Sequence, residues 1–121
     1  MSIDTLVLND NKLCLSAWLE VLGKCSIGFT SPRDILLRLA SEPKFLKTIK
    51  FFILDRQCAN MFDVVDDDFV GILKRKGASG FFMLSSVLHP CGDQVTGFDY
   101  SLGSIPMTKN DIERLLFKTS A

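Results

Sequence analysis

A chain of 121 residues, 47% hydrophobic and 23% charged, fits one domain with its own core and is too rich in Phe, Leu and Ile to stay disordered. Its 14 basic and 14 acidic residues cancel, so no basic field favours direct nucleic-acid binding. No apolar run reaches bilayer-spanning length, and "MSIDTLVLND" carries an acid where a secretory leader carries basic residues; the expectation is a cytoplasmic protein with no membrane partner.

In chain order, "IDTLVL" (Ile3 to Leu8) is short, apolar and β-branched, a buried strand stopped by "NDN". From Asn11, a suitable cap, the positions Leu13, Leu15, Ala17, Trp18, Val21 and Leu22 fit a helix ending near Gly23. Asp10 is a second candidate for that cap. "SIGF" (Ser26 to Phe29) reads as a second strand. Ser31, Pro32 and Asp34 then open a helix with Ile35, Leu36, Leu39 and Ala40 on its apolar side and Pro43 beyond its end. Ile49 to Leu54 is the third strand, and Asp55 ends its apolar run.

A third helix lies within Asp66 to Lys76, where an acidic start and a basic "KRK" end both suit the helix dipole, and Gly77 stops it. "GFFMLSS" is the fourth strand. Pro90, Gly92 and Gly97 break any long helix between Val87 and Gly97. "FDYSLGS" is the fifth strand, and Thr108 caps a last helix, "KNDIERLLFK". Strands alternating with helices imply parallel βαβ units, hence one α/β domain over residues 1–121 with a doubly wound sheet.

Ligands of such sheets bind outside the carboxyl ends of the strands. Asp10 follows the first strand, Asp55 ends the third, and Ser85 and Ser86 end the fourth, so all should meet on one edge. Two carboxylates and a hydroxyl there suit a hard cation and an oxyanion. The other candidates are weaker. Cys14, Cys25, Cys58 and Cys91 are scattered without a CxxC pair, and the single histidine, His89, does not complete a zinc set. "NDNKLC" lacks the glycine- and hydroxyl-rich loop that would cradle a flavin phosphate, and no catalytic triad or phosphate loop is present.

"LVLNDNKL", "FFILD" and "FFMLSS", in that order and 45 and 30 residues apart from Asp10 to Asp55 to Ser85, resemble the receiver domain of bacterial response regulators. The resemblance covers nearly the whole chain. It implies a CheY-like, flavodoxin-like fold: a five-stranded parallel sheet in a three-layer αβα arrangement. It further implies that Asp55 accepts a phosphoryl group from a sensor histidine kinase or phosphotransfer protein. Asp10, Asp55 and the Gln57 backbone carbonyl would hold Mg²⁺, Ser85 would act as the switch hydroxyl, and Tyr100 as the switch aromatic. The output would be a downstream protein partner or a fused output domain. A homodimer through Ile112, Leu115, Leu116 and Phe117 competes with a core-facing role for that stripe.

The chain departs from the family pattern twice. Asn9 stands where the first of two adjacent acids is usual, and the lysine usual in the fifth strand, just before a proline, is missing. Counting from Tyr100 reaches Gly103, and counting back from Pro106 reaches Ile105. A charge-assisted hydrogen bond is worth roughly 1.5–3 kcal/mol, so loss of a lysine contact shrinks a population shift by about 10- to 100-fold. The sequence thus points to an atypical phosphorelay receiver. The alternative is a pseudo-receiver, a phosphorylation-independent interaction module, and neither reading makes the chain an enzyme.

Overall fold

The computed structural model describes residues 2–55 and 67–118. Five strands form one parallel sheet: β1 (Thr5–Leu8), β2 (Ser26–Phe29), β3 (Phe51–Asp55), β4 (Phe81–Ser85) and β5 (Tyr100–Gly103). Their order across the sheet is β2-β1-β3-β4-β5. Four helices accompany them: α1 (Lys12–Leu22), α2 (Pro32–Ser41), α3 (Asp67–Arg75) and α4 (Lys109–Lys118). The expected doubly wound, flavodoxin-like three-layer fold is the one observed. None of the described helices is long and apolar enough to cross a membrane.

Alternation along the central strand divides the core. Phe51 and Ile53 point to one face with Val7, Trp18, Met83, Leu102 and Ile112, beneath α1 and α4. Phe52 and Leu54 point to the other with Leu6, Leu8, Ile35, Leu73 and Phe82, beneath α2 and α3. Both faces are covered, which is why β1 and β3 read as unbroken apolar runs rather than alternating ones. Phe52 and Phe82, neighbours in register, stack with centroids 4.5 Å apart and planes 8° from parallel.

The helix ends follow from single side chains. Asn11 Oδ1 accepts hydrogen bonds from Leu13 N (3.0 Å) and Cys14 N (3.1 Å), so Asn11 rather than Asp10 caps α1. Ser31 caps α2 through Arg33 N with Pro32 in its first turn, and Thr108 caps α4 through Asp111 N. Past α3, Gly77 adopts φ +111° while Ala78 N donates to Leu73 O and Gly77 N to Lys74 O, the paired bonds of a Schellman stop. Asp66, the expected first residue of that helix, lies outside the described residues.

Other boundaries differ from expectation. A short 3-10 turn, Phe45–Thr48, precedes β3 and carries Ile49 out of the strand: Ile49 N donates to Leu46 O, and pairing starts at Phe51. The third strand extends one residue further than its apolar run, so Asp55 is itself a strand residue, paired with Ser85.

Between β4 and β5 no helix forms. The segment 86–99 wraps the outer edge of β5 instead. Ser101 Oγ donates to His89 O, Gly92 N donates to Ser101 O, and Cys91 meets the Tyr100 hydroxyl. Ser101 is buried and faces a backbone carbonyl rather than an apolar helix, which gives its hydroxyl a partner. Asp99 fixes where β5 begins: its N–H donates to Phe82 O while its Oδ2 accepts from Phe82 N.

Gly80 enters β4 with no room for a side chain. A Cβ there would lie 2.5 Å from Lys50 O and 2.6 Å from Ile49 O, both fixed backbone atoms. Gly80→Ala should lower the unfolding free energy by about 1–3 kcal/mol in urea titrations. Gly71→Ala, on α3 with only the flexible Arg75 guanidinium at 3.4 Å, should be neutral or stabilising by up to about 1 kcal/mol.

Candidate functional site

At the carboxyl edge of the sheet, a cleft of about 200 Å³ is lined by Asn9, Asn11, Cys14, Asp55, Ser85, Ser86, Val87 and Ser104. Three strand ends build it. β3 delivers Asp55, β4 delivers Ser85 and Ser86, and the turn after β1 delivers Asn9. The parallel register sets Asp55 beside Ser85, since Leu54 pairs with Leu84 one step below. Asp55 is half-buried, while Asn9, Ser85 and Ser86 are only 7%, 5% and 8% exposed.

Asn9 Oδ1 accepts from Asn11 N at 2.9 Å, closing the turn that starts α1. The two asparagines act in sequence: Asn9 shapes the turn, and Asn11 caps the helix behind it. Ser86 Oγ accepts from Leu88 N at 3.1 Å, which turns the chain out of β4. Val87 is strongly exposed on the rim, with Leu13, Leu88 and Ile105 also exposed on neighbouring turns.

The expected site residues are therefore only partly brought together. Asp55, Ser85 and Asn9 share the cleft; Asp10, half-buried in the same turn, is not part of its lining. Gln57 lies outside the described residues, as does Cys58. Tyr100 stands away from the cleft, with its ring against the α1/α4 core and its hydroxyl against Cys91. Burial first, then the neighbouring Cys91, raises the Tyr100 pKa above its ordinary value.

Ser104, Asn11 and Cys14 were not anticipated. Ser104 escaped because the β4–β5 pairing skips a residue: Leu84 faces Ser101, but Ser85 faces Gly103. Gly103 takes φ +75° at this bulge, and Ser104 is the next residue into the cleft, between the two positions reached by counting. Cys14 was legible in principle, three residues past the cap and so on its side of the first turn.

No lysine is among the described residues that line the cleft. Lys109 begins α4 and pairs with Asp4, which precedes β1 at the opposite end of the sheet. The hydrogen bond to Asp4 raises the Lys109 pKa above its ordinary value despite the opposing effect of burial. Mg²⁺ prefers a near-octahedral set of hard oxygens, usually one or two carboxylates with phosphate oxygens. The described lining supplies one carboxylate, and no group of three His, Cys, Asp or Glu occurs among the described residues. By itself that lining does not fit a resident Mg²⁺.

No protein-family model matches the chain, and neither the curated proteins nor the solved structures give a match. Any account of function therefore rests on the chemistry of the cleft and on the fold that builds it.

Because Lys109 has a raised pKa in the folded chain, its contribution to stability is complete below the free lysine value of about 10.4 and fades as pH rises through the folded value. Lys109→Met should cost no more than about 1 kcal/mol at neutral pH, as partly exposed pairs do. The difference from the parent should vanish in denaturation curves taken above that range.

Proposed function

We propose that the chain is an atypical receiver domain that accepts a phosphoryl group on Asp55 and transmits its presence to the β4–β5 side of the sheet. The observation that carries this reading is the pairing of a strand-end carboxylate, Asp55, with a nearly buried hydroxyl, Ser85, at the ligand-binding edge of a doubly wound sheet.

In the transfer, an Asp55 carboxylate oxygen attacks the phosphorus of a phosphohistidine on a kinase or phosphotransfer partner. The P–O bond forms as the P–N bond breaks, and the electron pair passes to the imidazole nitrogen, which takes a proton from solvent. The strand end, which carried a single negative charge as the carboxylate, then carries about −1.5 to −2 on the phosphoryl oxygens, with three new acceptor atoms. Ser85 is the nearest β4 hydroxyl in register, and a bond from it to a phosphoryl oxygen is worth roughly 1.5–3 kcal/mol. Ser86 N donates to Gly103 O, so movement at Ser85 reaches β5 and the segment 86–99 directly. A displaced segment alters the surface offered to a downstream partner or output domain.

A second reading is favoured by two specific observations. Asn9 Oδ1 is committed to Asn11 N, and Lys109 is committed to Asp4 far from the cleft. Both suit a pseudo-receiver that keeps the architecture as a constitutive interaction module.

Phosphoramidate, a small donor with the same P–N bond, separates the two readings. Incubated with millimolar Mg²⁺, the parent chain should gain one phosphoryl mass by intact-mass spectrometry, lost on hydroxylamine treatment and absent from Asp55→Ala. A folded parent that stays unmodified would establish the interaction module instead.

A further inference from the structure

The cleft offers more unspent donors than carboxylates. Ser85 is 5% exposed, and its hydroxyl has no hydrogen-bond partner among the described residues. Asn9 is 7% exposed; its Oδ1 accepts from Asn11 N, while its amide nitrogen Nδ2 likewise has no partner among them. Ser86 Oγ accepts from Leu88 N, which leaves its own O–H to donate. Ser104 adds an exposed hydroxyl at the rim.

Nearly buried polar groups ordinarily find partners. Among described side-chain nitrogens and oxygens, Arg38 Nε alone is both sealed from water and without a hydrogen bond. Ser85 Oγ and Asn9 Nδ2 therefore keep a route to solvent, and the cleft they line supplies it. Two donors held nearly dry, unpaired and opening into one cavity beside a carboxylate are arranged for an incoming acceptor.

We propose that these neutral donors, Asn9 Nδ2 with the hydroxyls of Ser85, Ser86 and Ser104, hold the oxyanion of an aspartyl phosphate on Asp55 without need of a divalent cation. The inference rests on the phosphoacceptor reading above. A cation is needed most where several carboxylates converge on an incoming phosphoryl group. Among the described residues one carboxylate lines the cleft, and its oxygen becomes the bridging oxygen of the product, so its charge is spent in the bond. Three terminal phosphoryl oxygens then face four neutral donor groups. Fixed hydrogen-bond donors in a partly desolvated cleft stabilise such an anion without a counter-charge.

Trifluoroberyllate is the probe, since an Asp55 oxygen can take the fourth position on beryllium in place of water or fluoride. Its binding would be followed by fluorine NMR on the full chain, once with millimolar Mg²⁺ and once with excess EDTA. The affinities should differ by less than about tenfold. Ser85→Ala should weaken binding in both conditions, and Asn9→Asp, which keeps the acceptor for Asn11 N, should make binding Mg²⁺-dependent. Binding to the parent that falls by more than about tenfold in EDTA would overturn the cation-free site and leave Asp55 as a phosphoacceptor. No binding in either condition, with the amide spectrum of a folded protein, would remove both readings together.

Discussion

Everything at the cleft depends on the register of β3. Its first four residues are fully buried, with Phe51 and Ile53 on one face and Phe52 and Leu54 on the other, so a slip of one residue would exchange the two cores. Pairing to β1 on one side and β4 on the other fixes that register twice, and the Phe52–Phe82 stack lies at its centre. Asp55 is carried into place by this packing. A carboxylate at the end of such a strand has little positional freedom, and neither has the serine beside it.

Much of this architecture was legible in the residues. The β-branched and aromatic runs gave all five strands, and Asn11, Ser31 and Thr108 announced three helix starts by the chemistry of their side chains. What stayed hidden arose from non-local constraints. The start of β3 moved to Phe51 because a 3-10 turn uses Ile49, although the sequence there is equally apolar. The bulge at Gly103 depends on how β5 meets β4, so counting along the chain could not place Ser104 in the cleft.

The site itself was half legible. Asp55 and Ser85 are strand termini, and a strand terminus can be found from periodicity. Asp10 was placed by its position after the first strand and Tyr100 by resemblance, and the cleft's described lining includes neither. The roles of Asn9 and Asn11 show why. An asparagine after a strand has a carbonyl that can accept from backbone or serve a ligand, and only the three-dimensional turn decides. Here both side-chain carbonyls go to backbone, which leaves the Asn9 amide facing outward chemistry of a different sign from that of an acid.

The wrapped segment between β4 and β5 has a consequence for the behaviour of the protein in crowded solution. An outer strand normally presents a row of unpaired backbone groups on which a second chain can build. On β5 that row is interrupted: Gly92 N already occupies Ser101 O, and the bulge at Gly103 disturbs the spacing of the groups that remain. The crossover that lacks a helix thus serves as a selvedge on the β5 margin, occupying backbone groups that strand addition there would need.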